Sequence, residues 1–287
     1  MNTAIKFSKM HGLGNDFVLI DGDEFQKHNI KYEELAKRIC DRNFGVGADG
    51  LIIVNPQEIK ADTDTSWRIF NSDGSEPQMC GNGIRCFAKY VYEKGMVNKK
   101  KFTISTLAGV ITPEILDNGE IRVDMGSPIF EASKVPVSIK ELDCVIDYPV
   151  EVKGKEFNIN AVSMGNPHCI IFTEEDTAKL AKEYGSEIEI HELFPEKINV
   201  EFVKILARDN IKIDVWERGC GITLACGTGA CASVVAAIVN NLVDNTVVAN
   251  LPGGSLKIEW NQGKEGNRVF MSGKSEFVFH GEYLLTN

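Results

Sequence analysis

The sequence predicts an α+β protein of two pseudo-symmetric, duplicated lobes, each a mixed β-sheet or barrel curled around a central helix, with the active site in the cleft between them. Three observations carry this expectation. The segment RIFNSDGSEPQMCGNG, Arg68 to Gly83, lies without a gap over DVWERGCGITLACGTG, Asp214 to Gly229, so that Cys80 falls on Cys226. Each segment ends in a cysteine followed by Gly-x-Gly and opens onto a helical run. Short β-branched segments outnumber helices throughout. A repeat near half of a 287-residue chain indicates a duplicated domain, since solenoid periods are far shorter.

The elements follow in order. Strands are read at FVLIDG, GLIIVNP, WRIFN, KFTISTL and IRVDMG in the first half, and at CIIFT, VEFVKIL, IKIDVWE, SLKIEW, NRVFMSG and SEFVFHG in the second. Helices are read at YEELAKRIC, at TAKLAKEYGSEIE and in the runs after Cys80 and Cys226. After Cys80, Ile84, Phe87, Ala88 and Val91 form an apolar face, with Arg85, Lys89 and Glu93 on a polar stripe at i, i+4 spacing. After Cys226 the run is apolar nearly all round to Val239, which predicts a helix enclosed by a sheet or barrel. STLAGV against NLPGGS, IRVDMG against NRVFMSG and, more weakly, GLGND against SMGNPH extend the repeat. The first lobe is expected over residues 1–128 and the second over 129–276, with the last strand, 277–287, available to pack back onto the first.

Bulk properties narrow the function. With 31 basic and 41 acidic residues the net charge is −10, which disfavours nucleic acid or an anionic membrane as the main partner. No apolar stretch is long enough to span a bilayer, and the N-terminus lacks the apolar region of a secretion signal. Eight cysteines without such a signal point to a reducing, cytoplasmic setting. None forms a C-x-x-C pair, so no metal is expected, and Cys86, Cys220 and Cys231 are read as packing residues.

Cys80 and Cys226 differ from the other six in standing at helix starts. A helix N-terminus carries unpaired N–H donors and partial positive charge, which favour a thiolate and can hold a substrate carboxylate. One such cysteine is unremarkable packing. Two, related by an internal repeat, suit a two-base stereoinversion, in which one thiolate removes a Cα proton and one thiol returns a proton to the opposite face.

The motifs KMHGLGNDF, GVGADG, FNSDGSEPQMCGNGIRC, AVSMGNPHC, FPEKINVEF, WERGCGITLACGTGAC and LPGGSL, in this order along the chain, resemble those of the diaminopimelate epimerase family. The architecture of that family is similar to that of the proline racemases. The resemblance implies cofactor-independent interconversion of LL- and meso-2,6-diaminopimelate, serving lysine and peptidoglycan precursor synthesis, in a homodimer. It implies that Cys80 and Cys226 are the acid/base pair and that the amides of Gly81, Asn82, Gly227 and Thr228 bind the reacting carboxylate. Asn15, Asn71, Asn166, Asn199, Glu217 and Arg218 resemble the family's substrate contacts, and His168 falls close to one catalytic cysteine. Where some relatives carry glutamine after GxD, this chain has Gly50, so that contact is not expected here.

Physical chemistry adds to several of these. Arg218 offers a bidentate fork for the carboxylate at the inert end of the substrate; otherwise it is a surface ion pair. Glu217 could hold an ammonium or steer the Cys226 proton, or serve only as a partner for Arg218. His168 can take or return a proton near neutral pH. The four asparagines could equally be turn residues. Three other readings compete: a proline racemase, to which Asn71, Asn166, Asn199 and Arg218 would be wasted polar groups; a redox pair of Cys80 with Cys226; and an amino-acid-binding module without chemistry.

Overall fold

The computed structural model describes residues 3–56, 62–139, 142–263 and 266–285. Residues 1–2 of the first expected lobe and 286–287 of the expected last strand lie outside the described residues. The first elements are β1 (Thr3–Gly12), β2 (Asn15–Asp21), the single turn α1 (Gly22–Phe25), α2 (Tyr32–Ile39), β3 (Gly50–Val54) and β4 (Thr65–Asn71). They are followed by α3 (Gly81–Glu93), β5 (Ile104–Thr106), β6 (Gly109–Ile111), β7 (Glu114–Ile115) and β8 (Ile121–Asp124). Next come β9 (Tyr148–Val152), β10 (Lys155–Ser163), β11 (Pro167–Phe172), α4 (Thr177–Glu189), β12 (Asn199–Ala207) and β13 (Asn210–Glu217). The chain finishes with β14 (Gly221–Ile222), α5 (Gly227–Val239), β15 (Thr246–Leu251), β16 (Gly254–Trp260), β17 (Val269–Gly273) and β18 (Glu276–Leu285). Two units result, Met1–Val123 with Gly273–Asn287, and Asp124–Ser272.

The duplication is visible in the pairing rules. In unit 1 the strands run β18-β1-β2-β3-β4-β5-β6. From β1 onward the pairs are antiparallel, parallel, antiparallel, parallel and antiparallel. In unit 2 the series β10-β11-β12-β13-β15-β16 repeats that alternation pair by pair. The helices repeat as well: α2 and α4 each connect the first parallel pair, and α3 and α5 the second. Parallel neighbours require such crossovers, so each unit gains a helix on either face of its sheet.

Burial follows from that layering. Leu51, Ile53 and Phe70 join Leu35, Ala36 and Ile39 of α2 in one cluster. On the other face Trp67 packs edge-on against Phe87 of α3, with ring centroids 5.7 Å apart. Strand β3 is buried along its whole length, which explains its unbroken apolar run GLIIV. Helix α5 lies against β10, β11, β12, β13, β15 and β16, and ten of its thirteen residues are buried, the enclosure that its all-round apolarity predicts.

The structure departs from the sequence reading in places where a strand or helix carries buried polar groups. Strand β1 was hidden by Lys9, whose ammonium is buried against Asp16 and the Gly47 carbonyl. Strand β10 was hidden by its asparagines; Asn160 is buried and accepts from the Asp147 amide and the Asn240 side chain. Arg85, expected on the polar stripe of α3, is fully buried, because its guanidinium donates to the Asn82 side chain and to the Gly81 and Lys274 carbonyls. Cys220, expected to pack, is exposed on the turn after β13, whereas Cys86 and Cys231 are buried. Among the described residues no helix is long and apolar enough to cross a membrane.

Phe87 anchors α3 to the sheet, and Phe87→Ala is expected to destabilise the protein by about 3–5 kcal/mol, read as a lower denaturant midpoint.

Candidate active site

Each unit places its cysteine at the N-cap of the equivalent helix. Cys80 caps α3 with extended backbone (φ −144°, ψ 115°), and its sulfur accepts from the Gly83 amide at 3.4 Å. Cys226 caps α5 with nearly the same backbone (φ −115°, ψ 109°), and its sulfur lies 3.5 Å from Thr228 Oγ1. The amides of Gly81 and Asn82, and of Gly227 and Thr228, belong to first helical turns, where no intrahelical acceptor exists.

In unit 1 the residues around Cys80 form a continuous chain of hydrogen bonds. The tight β1–β2 turn, with Leu13 and Gly14 both at positive φ, delivers Asn15 to the start of β2. The Asn15 carbonyl oxygen accepts from Asn82 Nδ2 at 3.1 Å and is 3.9 Å from the Cys80 sulfur. Its amide donates to Asp49 at 2.7 Å, and Arg42 clamps Asp49 and Asp16 together. From the other side Arg85 holds Asn82 Oδ1 at 2.8 Å. The structure therefore brings Asn15, Asn82 and Cys80 together. Asn71 is exposed, and its amide donates to Ser75 within the turn after β4, at 2.9 Å. At Gly50 a Cβ would stand 2.7 Å from the Phe70 carbonyl oxygen, so β3 begins where a side chain has no room.

Unit 2 surrounds its cysteine with acid groups. His168 on β11 is fully buried, with Nδ1 2.7 Å from Glu201 Oε1 and Nε2 3.0 Å from Asn166 Oδ1. Asn199 is likewise committed, accepting from the Arg218 amide at 2.9 Å and donating to the Pro167 carbonyl at 2.8 Å. It thus ties the start of β11 to the end of β13. Arg218 is exposed, with one guanidinium nitrogen 3.1 Å from the Glu196 carbonyl. Glu217 accepts from the Thr223 hydroxyl, and its carboxylate pushes the Cys226 thiol pKa up, so it acts toward the cysteine.

Glu201 escaped the sequence reading. It sits in β12 two residues past Asn199, on the same face, and is fully buried. A carboxylate flanked by apolar neighbours in NVEFV was the available signal. The first turn of α5 fits around it: a Cβ on Gly229 would stand 2.4 Å from Glu201 Oε1 and 3.2 Å from the Cys226 sulfur. His168, Glu201 and Cys226 present donor atoms within 4.8 Å of one another, a grouping that could take a metal ion. With both ring nitrogens of His168 already bonded, it is built as a hydrogen-bond network.

Electrostatics at Cys226 run against the pull of its helix end toward a thiolate. Burial pushes this thiol well up, and the Glu217 and Glu201 carboxylates push it further. Together they outweigh what the helix end supplies, so Cys226 is a thiol at neutral pH. The Glu217 carboxyl is itself raised, chiefly by burial, against the opposing bond from Thr223.

The family model for diaminopimelate epimerase matches residues 7–131 and 160–278. The diaminopimelate epimerase of Halothermothrix orenii is 50% identical over 286 residues, covering 98% of this chain and 98% of that one. That of Carboxydothermus hydrogenoformans is 50% identical over 284 residues, covering 98% and 100%. The chain belongs to the diaminopimelate epimerase family. It is therefore an isomerase of the epimerase class. The fold is shared more widely. A Bacillus anthracis protein of the phenazine biosynthesis PhzF family matches with TM-score 0.68 at 18% identity, covering 99% of this chain and 100% of that one. A hydroxyproline epimerase from Agrobacterium vitis matches with TM-score 0.68 at 12% identity, covering 99% and 93%. At such identities these two speak for the α+β architecture of duplicated, sheet-rich lobes alone.

Because two carboxylates hold the Cys226 proton, Glu217→Gln is expected to lower the pKa of that thiol. Alkylation of Cys226 by iodoacetamide at pH 8, followed by peptide mass mapping, is expected to accelerate by about tenfold for each unit of pKa lost.

Proposed function

We propose that this protein interconverts LL- and meso-2,6-diaminopimelate by two-base chemistry without a cofactor, with Cys80 and Cys226 as the acid/base groups. The observation that carries this reading is the placement of the two thiols at the N-caps of topologically equivalent helices, in a chain of the diaminopimelate epimerase family. Inverting a Cα centre demands a proton taken from one face and a proton given to the other. A duplicated fold supplies one thiol per copy for the two tasks.

The proton moves as follows. One cysteine, as thiolate, accepts the Cα proton; the electron pair left on carbon delocalises into the α-carboxylate; the second cysteine, as thiol, gives its proton to carbon and becomes the thiolate. Amides at the two helix starts, Gly81 and Asn82 with Gly227 and Thr228, hold that carboxylate as its charge grows, and each such donor is worth about 3 kcal/mol in comparable sites. Asn15 and Asn82 are the polar groups beside Cys80 available to the substrate. Glu217 steers the Cys226 proton. Asn166, through His168, and Asn199, through the Arg218 amide, keep the unit 2 loops in register. The Arg218 guanidinium, oriented by the Glu196 carbonyl, is assigned to the carboxylate at the inert end, and Asn71 to its neighbourhood. The same reading puts the enzyme in the cytoplasm, supplying lysine and peptidoglycan precursors.

A homodimer belongs to this proposal. Strand β18 forms an edge of the unit 1 sheet and exposes Val278, Phe279 and Leu284. Unprotected apolar edges favour pairing. Light scattering is expected to give twice the chain mass, and a monomer at micromolar concentration would remove this part of the reading.

The chemistry is tested by proton NMR of LL-diaminopimelate with the reduced protein in D2O and no added cofactor. Loss of the Cα proton signal with growth of the meso isomer is expected. Cys80→Ala and Cys226→Ala are each expected to lower kcat by about 10³-fold or more. Exchange with proline but not diaminopimelate would overturn the substrate; exchange with neither would overturn the enzyme reading.

A further inference from the structure

Glu201 is the one carboxylate beside Cys226 to which no step above gives work. It is wholly buried, and burying a carboxylate is costly unless it is well paired. Only half of that pairing is present: Oε1 meets His168 Nδ1 at 2.7 Å, while Oε2 is buried with no hydrogen-bond partner among the described residues. A carboxylate retained for stability alone would have both oxygens satisfied. The first turn of α5 is also shaped around it, since only glycine at position 229 lets Oε1 and the Cys226 sulfur approach the same point of the helix. Strand β12 sets the direction, with Asn199 level with His168 and Glu201, two residues on and on the same face, level with Ile170 in the parallel register.

We propose that Glu201 is a positioning residue of the epimerase reaction, which fixes the His168 ring and keeps the Cys226 sulfur in its proton-carrying form between turnovers. It acts through these neighbours and does not touch substrate. Beside Cys226 stand Glu201 on β12, Glu217 on β13 and His168 on β11, with Thr228 on its own helix. Two negative groups against one buried sulfur disfavour its thiolate. In the direction where Cys226 donates, this holds a proton ready; in the other, it makes the transient thiolate a stronger base toward a weakly acidic carbon. His168, fixed at Nδ1 by Glu201 and at Nε2 by Asn166, cannot swing toward the sulfur and quench it.

The proposal rests on the two-cysteine reading, and its test separates the two. In the full-length reduced protein, Glu201→Gln removes the charge while keeping shape. Steady-state kinetics are expected to show kcat reduced by about tenfold or more, with KM within about twofold, because no substrate contact is lost. Cys226 is then titrated by thiolate absorbance near 240 nm, as the difference between Cys80→Ala and Cys80→Ala/Cys226→Ala, with and without Glu201→Gln. The Cys226 midpoint is expected to fall by about one unit or more when the carboxylate is neutralised. An unmoved midpoint, or kcat within twofold of wild type, overturns the role of Glu201. If Glu201→Gln does not fold, Glu201→Asp carries the test: a kcat loss with the midpoint kept high is expected, and unchanged kcat overturns the proposal. Failure of the wild-type protein to epimerise diaminopimelate would instead remove the underlying reading, whatever the titration shows.

Discussion

The half-site of unit 2 depends on the burial of one helix. Helix α5 has no polar face, so its only stable place is against strands on several sides, and β10 to β13 with β15 and β16 supply them. Such a helix can be entered only at its ends, and its N-terminal end carries the unsatisfied amides and positive partial charge of the backbone. Cys226 stands at that end because the chain leaves β13, passes the short β14 and turns directly into the helix. The cost of enclosing an apolar helix is thereby offset by apolar contact, and the positive end of its dipole is the end that Cys226 caps.

The two copies of this arrangement have diverged in charge and not in backbone. Both cysteines are N-caps with extended φ and ψ, and both are followed by Gly-x-Gly. Around Cys80 the buried ion on the helix is a guanidinium, Arg85, which steadies Asn82 and the Gly81 carbonyl. Around Cys226 the buried ions are carboxylates, Glu201 and Glu217. The two-base chemistry proposed above needs one sulfur as thiolate while the other is a thiol, and divergent surroundings on equivalent scaffolds suit that need without altering the fold.

Several polar side chains of the candidate site also hold the backbone. Asn199 joins Pro167 to Arg218 through both ends of its amide, and Asn71 donates to Ser75 across the turn after β4. Such groups matter to a site through where they hold the backbone. The neutral amide suits this work: it can donate and accept at once in a buried strand without the desolvation cost of a charge.

The sequence by itself determined the duplication, the two helix-start cysteines, the enclosed α5 and the family, because each is written in local order: a repeated Cys-Gly-x-Gly, a period of apolar residues, a string of motifs. It also singled out Asn15, Asn82, His168 and Glu217, since these lie inside the motifs, and the fold places them beside the two helix-start cysteines. What it did not contain was the fate of polar residues in buried strands and on the helix stripe. Arg85 reads as solvent-facing, and nothing local marks Lys9, Asn160 or Glu201 as buried, because local pattern weighs a polar group as exposed. Each is buried by partners that the fold brings to it: Asp16 and Gly47 for Lys9, Lys274 for Arg85, Asn240 for Asn160, His168 for Glu201. Tertiary structure alone decided the protonation of Cys226 for the same reason. A helix end is a local feature that lowers a thiol's pKa, while burial and two carboxylates from separate strands raise it, and only the folded chain brings those strands together.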